Sequence, residues 1–191
     1  MSGLILLSLI ATYTLAGPFI EDDSLALKPK KHYGQEARLV SQILTTYHFK
    51  KIALDDSLSA VILDNYISTL DNNKSYFTQS DITEFEQYRN KLDDMTTLGE
   101  VDVAFVIFNR FRDRFNQRME YVRGKLTSRA YDYTKDEFYQ TDRDNEDWAV
   151  NGDELNELWR KIIKSQTLSL KLSGRSQDEI EENIADRKSV V

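Results

Sequence analysis

Oxygen-bearing side chains alternate at Asp71, Asn73 and Ser75, in the first half of the sequence. A calcium-binding loop of the helix–loop–helix type begins with this spacing, but it also requires glycine at its sixth position and glutamate at its twelfth. Tyr76 and Ile82 occupy those two positions here. The pattern therefore does not predict a metal site, and a calcium-stabilised module is the third of three hypotheses for this chain.

The same polar segment has a structural interpretation. We expect residues 71–74 to form a turn and the following aromatic pair to fill the gap between two helices. Ser80 is predicted to cap the next helix. Trp148 and Trp159, three helical turns apart, are expected in the core. The predicted structural residues are Asp71, Lys74, Tyr76, Phe77, Ser80, Asp81, Trp148 and Trp159.

The residue pattern does not support catalysis. His32 and His48 are the only histidines, a helix length apart, and the chain has no cysteine. Neither a Ser-His-acid triad nor a zinc site can be built from them. The glycines are scattered, so no phosphate-binding loop is present. Composition does not exclude a catalytic Ser/Lys pair, although no serine lies in a distinctive small-residue context. We predict no catalytic residue, no metal and no cofactor.

Arg110, Arg114 and Arg118 recur every four residues and share one face of a predicted helix. Such a row could form a docking face for an acidic protein partner or for a carboxylate. The alternative is that the arginines form intrachain ion pairs, either with neighbours such as Asp113 and Glu120 or with acidic helices packed nearby.

Composition indicates one globular, helical domain. The chain has 191 residues, 40% of them hydrophobic and 30% charged, and only two prolines. This length is sufficient for one domain with a real core. The formal net charge of −7 argues against nucleic acid as a partner, since phosphate contacts require a basic surface.

Residues 1–17 are uncharged, largely apolar and end in small residues, which is typical of a signal peptide. The stretch is short for a membrane span, which needs about 20 apolar residues. The alternative is a buried first helix. Residues 18–34 contain both prolines and read as an extended tether. We therefore expect an exported protein, with membrane contact only if the signal-like segment stays uncleaved.

Helical periodicity dominates from residue 35 to residue 187 and predicts an all-α, irregular bundle of about five to six helices. The predicted helices begin near residue 35, near Asp55 or Asp56, at Ser80, near Glu100, at Asn151 and at Ser176. Gly99 is predicted to end the third, and Gly174 to end the fifth. The apolar positions expected to face inward are Ala37, Val40, Ile43, Leu44 and Tyr47 in the first helix and Leu58, Val61, Ile62, Tyr66 and Leu70 in the second, and those of the fourth include Phe105, Phe108, Phe111 and Phe115. Residues 128–147 read as irregular structure with a short extended piece.

Several stretches, in this order and spacing, resemble the N-terminal region of tail-specific (C-terminal processing) serine proteases. A Leu-Asp-x-x-Lys-x-Tyr-Phe-x-x-Ser-Asp-Ile pattern occupies residues 70–82, and Leu158-Trp159-Arg160 lies further along. The other matching stretches are residues 54–59, 66–69, 92–94, 104–111 and 154–157, Arg114, Arg118, Tyr121, Trp148 and Lys164, and residues 170–174.

The resemblance implies a helical domain that precedes a PDZ module and a protease domain with a Ser/Lys dyad. In such enzymes the helices would frame the substrate path and offer a surface to an adaptor. This chain ends at Val191 before any PDZ or catalytic motif, so no catalytic residue carries over and a fragment boundary is suspected at 188–191.

Two functional hypotheses follow. The first is a non-catalytic N-terminal domain of a periplasmic tail-specific serine endopeptidase, with a protein substrate, an adaptor and the enzyme's PDZ and protease domains as partners. The second is a free-standing periplasmic interaction module that presents the Arg110, Arg114 and Arg118 face.

Overall fold

The computed structural model describes residues 26–50, 53–128 and 131–185. Within these ranges the chain forms seven α-helices and no β-strand, which confirms the predicted all-α class. The helices are α1 (Tyr33–Gln42), α2 (Asp56–Leu70), α3 (Gln79–Phe85), α4 (Leu92–Leu98), α5 (Asp102–Ser128), α6 (Gly152–Leu172) and α7 (Gln177–Ala185). A π-helical turn, Ile43–Tyr47, continues α1, and a 3-10 turn, Glu86–Tyr88, follows α3. None of the described helices is long and apolar enough to span a membrane.

Three predicted segments lie wholly or partly outside the described residues: the signal-like segment 1–17, the first part of the tether 18–34, and the chain end 188–191. The described part of the tether contacts α5. The backbone N–H and C=O of Leu27 both hydrogen-bond to the side-chain amide of Asn109, at 2.8 Å each. The Tyr33 ring stacks on that of Phe105, with centroids 6.1 Å apart. This end of the tether is therefore docked on the bundle.

Polar caps determine where several helices begin and end, as predicted. At the start of α2, the Asp55 carboxylate accepts from the N–H of Leu58 at 3.0 Å. Before α7, the Glu179 carboxylate accepts from the N–H of Ser176 at 2.8 Å, and the Ser176 hydroxyl accepts in return from the N–H of Glu179 at 3.4 Å. Gly174, with φ of 82°, follows the end of α6.

The start of α3 differs from the prediction, because Thr78 rather than Ser80 is its N-cap. Asp81 lies three residues after Thr78 and accepts from its N–H at 2.9 Å, which completes a capping box. A cap at Ser80 would have placed Thr83 at that position, where no carboxylate is available. Ser80 is exposed, and its hydroxyl lies 2.9 Å from that of Thr78.

The stretch 80–99, predicted as a single helix, is divided into α3 and α4. The N–H of Leu92 donates to the hydroxyl of Ser59 in α2 at 2.8 Å, so α4 begins where it docks on α2. As predicted, α4 ends at Gly99, which has φ of 75°. A Cβ at Gly99 would lie 2.4 Å from the carbonyl oxygen of Gly34 in α1. Glycine is therefore required both by the backbone angle and by the close approach of α1.

Helix α5 runs along the hydrophobic core, and α2, α3, α6 and α7 contribute to the same cluster. The buried residues of α5 are Val103, Ile107, Phe111, Phe115, Met119, Val122 and Leu126. The other helices supply Leu63, Ile67, Phe85, Trp159, Ile163, Ile180 and Ile184. The inward face predicted for α5 is correct from Phe111 onward. In the first half of the helix, Val103 and Ile107 are buried in place of Phe105 and Phe108, which are half-buried.

Two predicted inward faces are only partly correct: Tyr66 and Leu70 of α2 pack against the core, but other positions of the two faces are exposed. In α2, Leu63 and Ile67 are buried, whereas Val61 is 51% exposed. Helix α2 carries apolar side chains on more than one face, so periodicity alone does not determine which face packs inward. In α1 and its π-helical extension, Val40 and Ile43 are 52% and 46% exposed. Helix α1 packs against α4, its buried residue is Ser41, and Ala37 and Leu44 of the predicted face are half-buried.

Candidate functional site

The turn between α2 and α3 is organised by the carboxylate of Asp71, which is 3% exposed. Its two oxygens accept from the backbone N–H groups of Ser75, Tyr76 and Phe77, at 2.8, 2.9 and 2.9 Å. Burial raises the pKa of Asp71, and these hydrogen bonds counteract part of the rise. Because the oxygens face N–H donors within the turn, this carboxylate shapes the backbone and is not presented to a cation.

Lys74 connects this turn to the irregular segment before α6. Its amine donates to the carbonyls of Asp144 and Glu146, at 2.7 and 2.5 Å, and lies 5.7 Å from the ring centroid of Trp148. Lys74 has φ of 48°, a left-handed conformation that non-glycine residues rarely adopt. The two carbonyl contacts give a physical reason for a lysine there, because glycine would suit the backbone but could not donate.

The aromatic pair after the turn packs into the core, as expected. Phe77 is fully buried and packs edge-on against Phe85, with centroids 5.4 Å apart. Tyr76 lies 5.5 Å from the Trp159 ring. Trp159, which is 2% exposed, donates its indole N–H to the carbonyl of Ser75 at 2.6 Å. Helix α6 is thereby fixed to the α2–α3 turn through one buried side chain.

Asp81 is fully buried and is the acidic centre of the arginine row. Arg110 donates to it at 2.6 Å, and Arg114 donates twice, at 2.9 and 3.0 Å. Burial raises the pKa of Asp81, but hydrogen bonds from Arg114, from the Thr78 N–H and from Arg110 outweigh that effect and lower the pKa to about 2. The carboxylate thus joins the first turn of α3 to the middle of α5.

The three arginines predicted as a docking face therefore have partners within the chain. Arg110 also pairs with Glu84 at 2.9 Å. Arg118 is 8% exposed and donates to the side chain of Asn156 in α6 at 2.6 Å. These partners lie on α3 and α6 rather than at Asp113 and Glu120, the neighbours considered from the sequence. A docking role for the row stays a prediction.

An ion cluster that sequence analysis missed holds Glu137 against α6. Its carboxylate accepts from Arg160 at 2.5 Å and also from Lys164, which is 8% exposed. The hydrogen bonds from Arg160 and then Lys164 lower the pKa of Glu137 to about 2. The two basic residues lie four apart on α6, which was a visible signal. Their partner lies in an irregular segment, where periodicity assigns no neighbours.

A groove of about 510 Å³ lies between the α2–α3 turn, α6 and the segment around residue 140. The turn contributes Asn72 and Asn73, and α6 contributes Trp159 and Ile162. The third wall includes Tyr139, Gln140 and Arg143, and the Arg143 guanidinium donates to the carbonyl of Asn73 at 3.1 Å. The groove is therefore framed by the predicted structural motif together with an irregular segment that the sequence did not connect to it.

The ionisable side chains at the groove are engaged in fixing the backbone. Neither histidine lines it: the His32 ring lies 4.6 Å from that of Tyr33, and the His48 ring lies 5.0 Å from that of Phe49. Among the described residues, no group of three or more His, Asp or Glu is placed to hold a metal ion. The arrangement is suited to non-covalent binding and to positioning of other chains.

Comparison with known proteins agrees with the resemblance in the sequence. The family model described as "Tail specific protease N-terminal domain" matches residues 40–189. A tail-specific protease of Haemophilus influenzae is 33% identical over 145 residues, which is 75% of this chain but 21% of that protein. The chain thus spans about a fifth of the length of this curated relative. The chain belongs to the family of tail-specific protease N-terminal domains.

Proposed function

We propose that this chain is a non-catalytic helical N-terminal domain of a periplasmic tail-specific serine endopeptidase, which supplies architecture and engages a protein substrate or an adaptor. The observation that carries the proposal is the alignment itself. Most of this chain corresponds to about a fifth of a tail-specific protease, which leaves most of that protein's length for other parts. The PDZ and protease domains of such an enzyme are the proposed intramolecular partners.

The roles of the ionisable side chains support a non-catalytic domain. Lys74 donates to two carbonyls, Lys164 pairs with Glu137, and Asp81 is held by two arginines. Each of these groups stabilises the backbone or joins two elements. Catalytic groups are generally exposed to a cleft in which a substrate can reach them.

The proposal is tested by purifying the 191-residue chain and incubating it with a fluorogenic peptide that has an apolar C-terminus. We expect a single cooperative unfolding transition and no cleavage. The proposal would be contradicted by peptidase activity that co-elutes with the chain through successive chromatographic steps. That activity would also have to persist after contaminating serine proteases have been removed.

The proposed periplasmic location is supported by the apolar, uncharged residues 1–17. It is tested by fusing residues 1–34 to alkaline phosphatase, an enzyme that needs the oxidising conditions outside the cytoplasm to form its disulfides. We expect phosphatase activity in whole cells. The matched control is a fusion that begins at Pro18, and equal activity of the two fusions would contradict export through this segment.

A further inference from the structure

Residues 136–140 form an irregular run on the surface, to which no helix, turn or bend is assigned. The main-chain N–H and C=O groups of residues 136–141 make no hydrogen bond to any other described residue. Side chains alternate along the run: Glu137 and Tyr139 are half-buried, whereas Phe138 and Gln140 are exposed. Alternating exposure and main-chain groups without a partner among the described residues are both features of an unpaired edge strand.

Both ends of the run are fixed in place. Glu137 is held at one end by Arg160 and Lys164 of α6. At the other end, Arg143 donates to the carbonyl of Asn73, and the Lys74 amine binds the next carbonyls along the chain. A segment held in this way loses little further conformational freedom when it binds a partner.

The groove described above lies at the C-terminal end of this run, where residues 139–141 line it. Its volume of about 510 Å³ falls within the range of roughly 300–1,000 Å³ that is typical of ligand sites. Its polar lining is mostly uncharged, with the amides of Asn72, Asn73, Gln140 and Gln166, and its apolar lining includes Ile162 and Trp159. The two charged side chains at its edge, Asp71 and Arg143, both bind backbone groups of the turn. Such a lining favours a ligand that is uncharged and rich in main-chain groups.

We propose that this groove binds an extended, uncharged polypeptide segment, which pairs its main chain with residues 139–141 and lays side chains over Ile162. Addition of a strand to a free edge is a general way in which proteins recognise unfolded chains. The inference rests on the proposed function, since it names the polypeptide conformation that the domain would engage and the place at which it does so.

The test uses the full 191-residue chain labelled with ¹⁵N and an uncharged decapeptide of alternating valine and serine with blocked ends. We expect progressive amide shifts at residues 139–141 and at Ile162 as peptide is added to millimolar concentration. A second peptide, with alternate nitrogens methylated, lacks the donors of one edge. We expect its affinity to be at least about tenfold lower, a difference of about 1.4 kcal/mol.

Two protein variants distinguish binding in the groove from non-specific binding of the peptide elsewhere on the protein. Ile162→Glu places a charge in the groove floor and should weaken binding of the first peptide by at least about tenfold. Leu172→Glu, a matched change on the same helix at a position that is 80% exposed, should leave the affinity unchanged. Circular dichroism and thermal unfolding of both variants establish that the fold is retained.

Several outcomes would overturn the groove proposal. These are shifts confined to another surface, equal affinity for the methylated peptide, equal effects of the two substitutions, and no shift at any peptide concentration. Shifts of residues 139–141 that grow with protein concentration alone would assign the groove to a second copy of the chain, and would also overturn it. Mass spectrometry of the same sample reports any cleavage of the peptide, which would contradict the proposed non-catalytic function instead.

Discussion

Replacing Asp81 with asparagine would remove a buried charge shared by two arginines of α5 while keeping the size of the side chain. Arg110 and Arg114 would lose their common acceptor, and their side chains are 32% and 27% exposed. Breaking a buried ion pair from one side typically costs about 3–5 kcal/mol. Because both arginines reach solvent and Arg110 keeps Glu84, we expect a smaller loss than this, about 2–3 kcal/mol of unfolding free energy.

The pKa of Asp81 gives an independent estimate of the charge contribution. The folded pKa is about 2 against an ordinary value of 3.8. At about 1.4 kcal/mol per pKa unit, this difference corresponds to roughly 2 kcal/mol of stability. The folded pKa is lowered, so this stability is present above pH 3.8 and is lost as the pH falls towards 2. About two-thirds of it should be gone by about pH 2.5.

The assay is urea unfolding of the wild type and Asp81→Asn at pH 7 and in acid, followed by circular dichroism. Glu84→Gln is the matched control, because Glu84 pairs with the same Arg110 but its side chain is 44% exposed. An exposed pair contributes at most about 1 kcal/mol. The reasoning is refuted if the two variants lose similar stability at pH 7, or if the gap between wild type and Asp81→Asn does not narrow in acid.

Three further substitutions test other parts of the structure. Gly99→Ala should lower the unfolding free energy by at least about 2 kcal/mol, because Gly99 has a positive φ and a Cβ there would clash with a carbonyl oxygen. Gly124→Ala, at a position in α5 with open space around it, should raise the unfolding free energy by about 0.5–1 kcal/mol. Urea midpoints of the two variants that move in the same direction would contradict this pair of predictions. Lys74→Met should speed tryptic cleavage after Arg143 several-fold, because the segment around Arg143 loses the two hydrogen bonds from Lys74 to main-chain carbonyls. An unchanged cleavage rate would show that these bonds do not hold the segment in place. Trp159→Phe leaves the buried carbonyl of Ser75 without its donor and should lower the unfolding free energy by about 1–3 kcal/mol, measured by thermal and urea unfolding. A loss below this range would show that the hydrogen bond contributes little to stability.

The all-α class was predictable because helix signals in this sequence are local. Asp55, Ser176 and Gly174 each act on a helix end within a few residues of their own positions, and the helix ends predicted from them are confirmed. The faces of α1 and α2 were not predictable in the same way. Periodicity identifies apolar positions, but which face is buried depends on the neighbouring helix, as the bond from Leu92 to Ser59 illustrates.

The candidate site was predictable only in part, for a related reason. Residues 71–77 are close in sequence, so the turn and its aromatic pair could be identified from local chemistry. The groove also requires Lys74 to reach carbonyls about 70 residues away, and Glu137 to reach α6. Contacts from a side chain to a distant main-chain carbonyl leave no trace in residue spacing, because every residue offers a carbonyl.

Residues 135–146, in the irregular segment between α5 and α6, are fixed mainly by polar ties, whereas Tyr131 and Trp148 near its two ends pack against the core. Lys74, Arg143, Arg160 and Lys164 each bind a carbonyl or carboxylate across the segment, while Phe138 at its centre remains 80% exposed. Loops held on a rigid scaffold are a common location for binding residues. Removing one tie should therefore change what the groove binds before it changes whether the core folds, because the core residues of α5 lie outside these ties. A comparison of peptide affinity and unfolding free energy in Lys74→Met would separate the two effects.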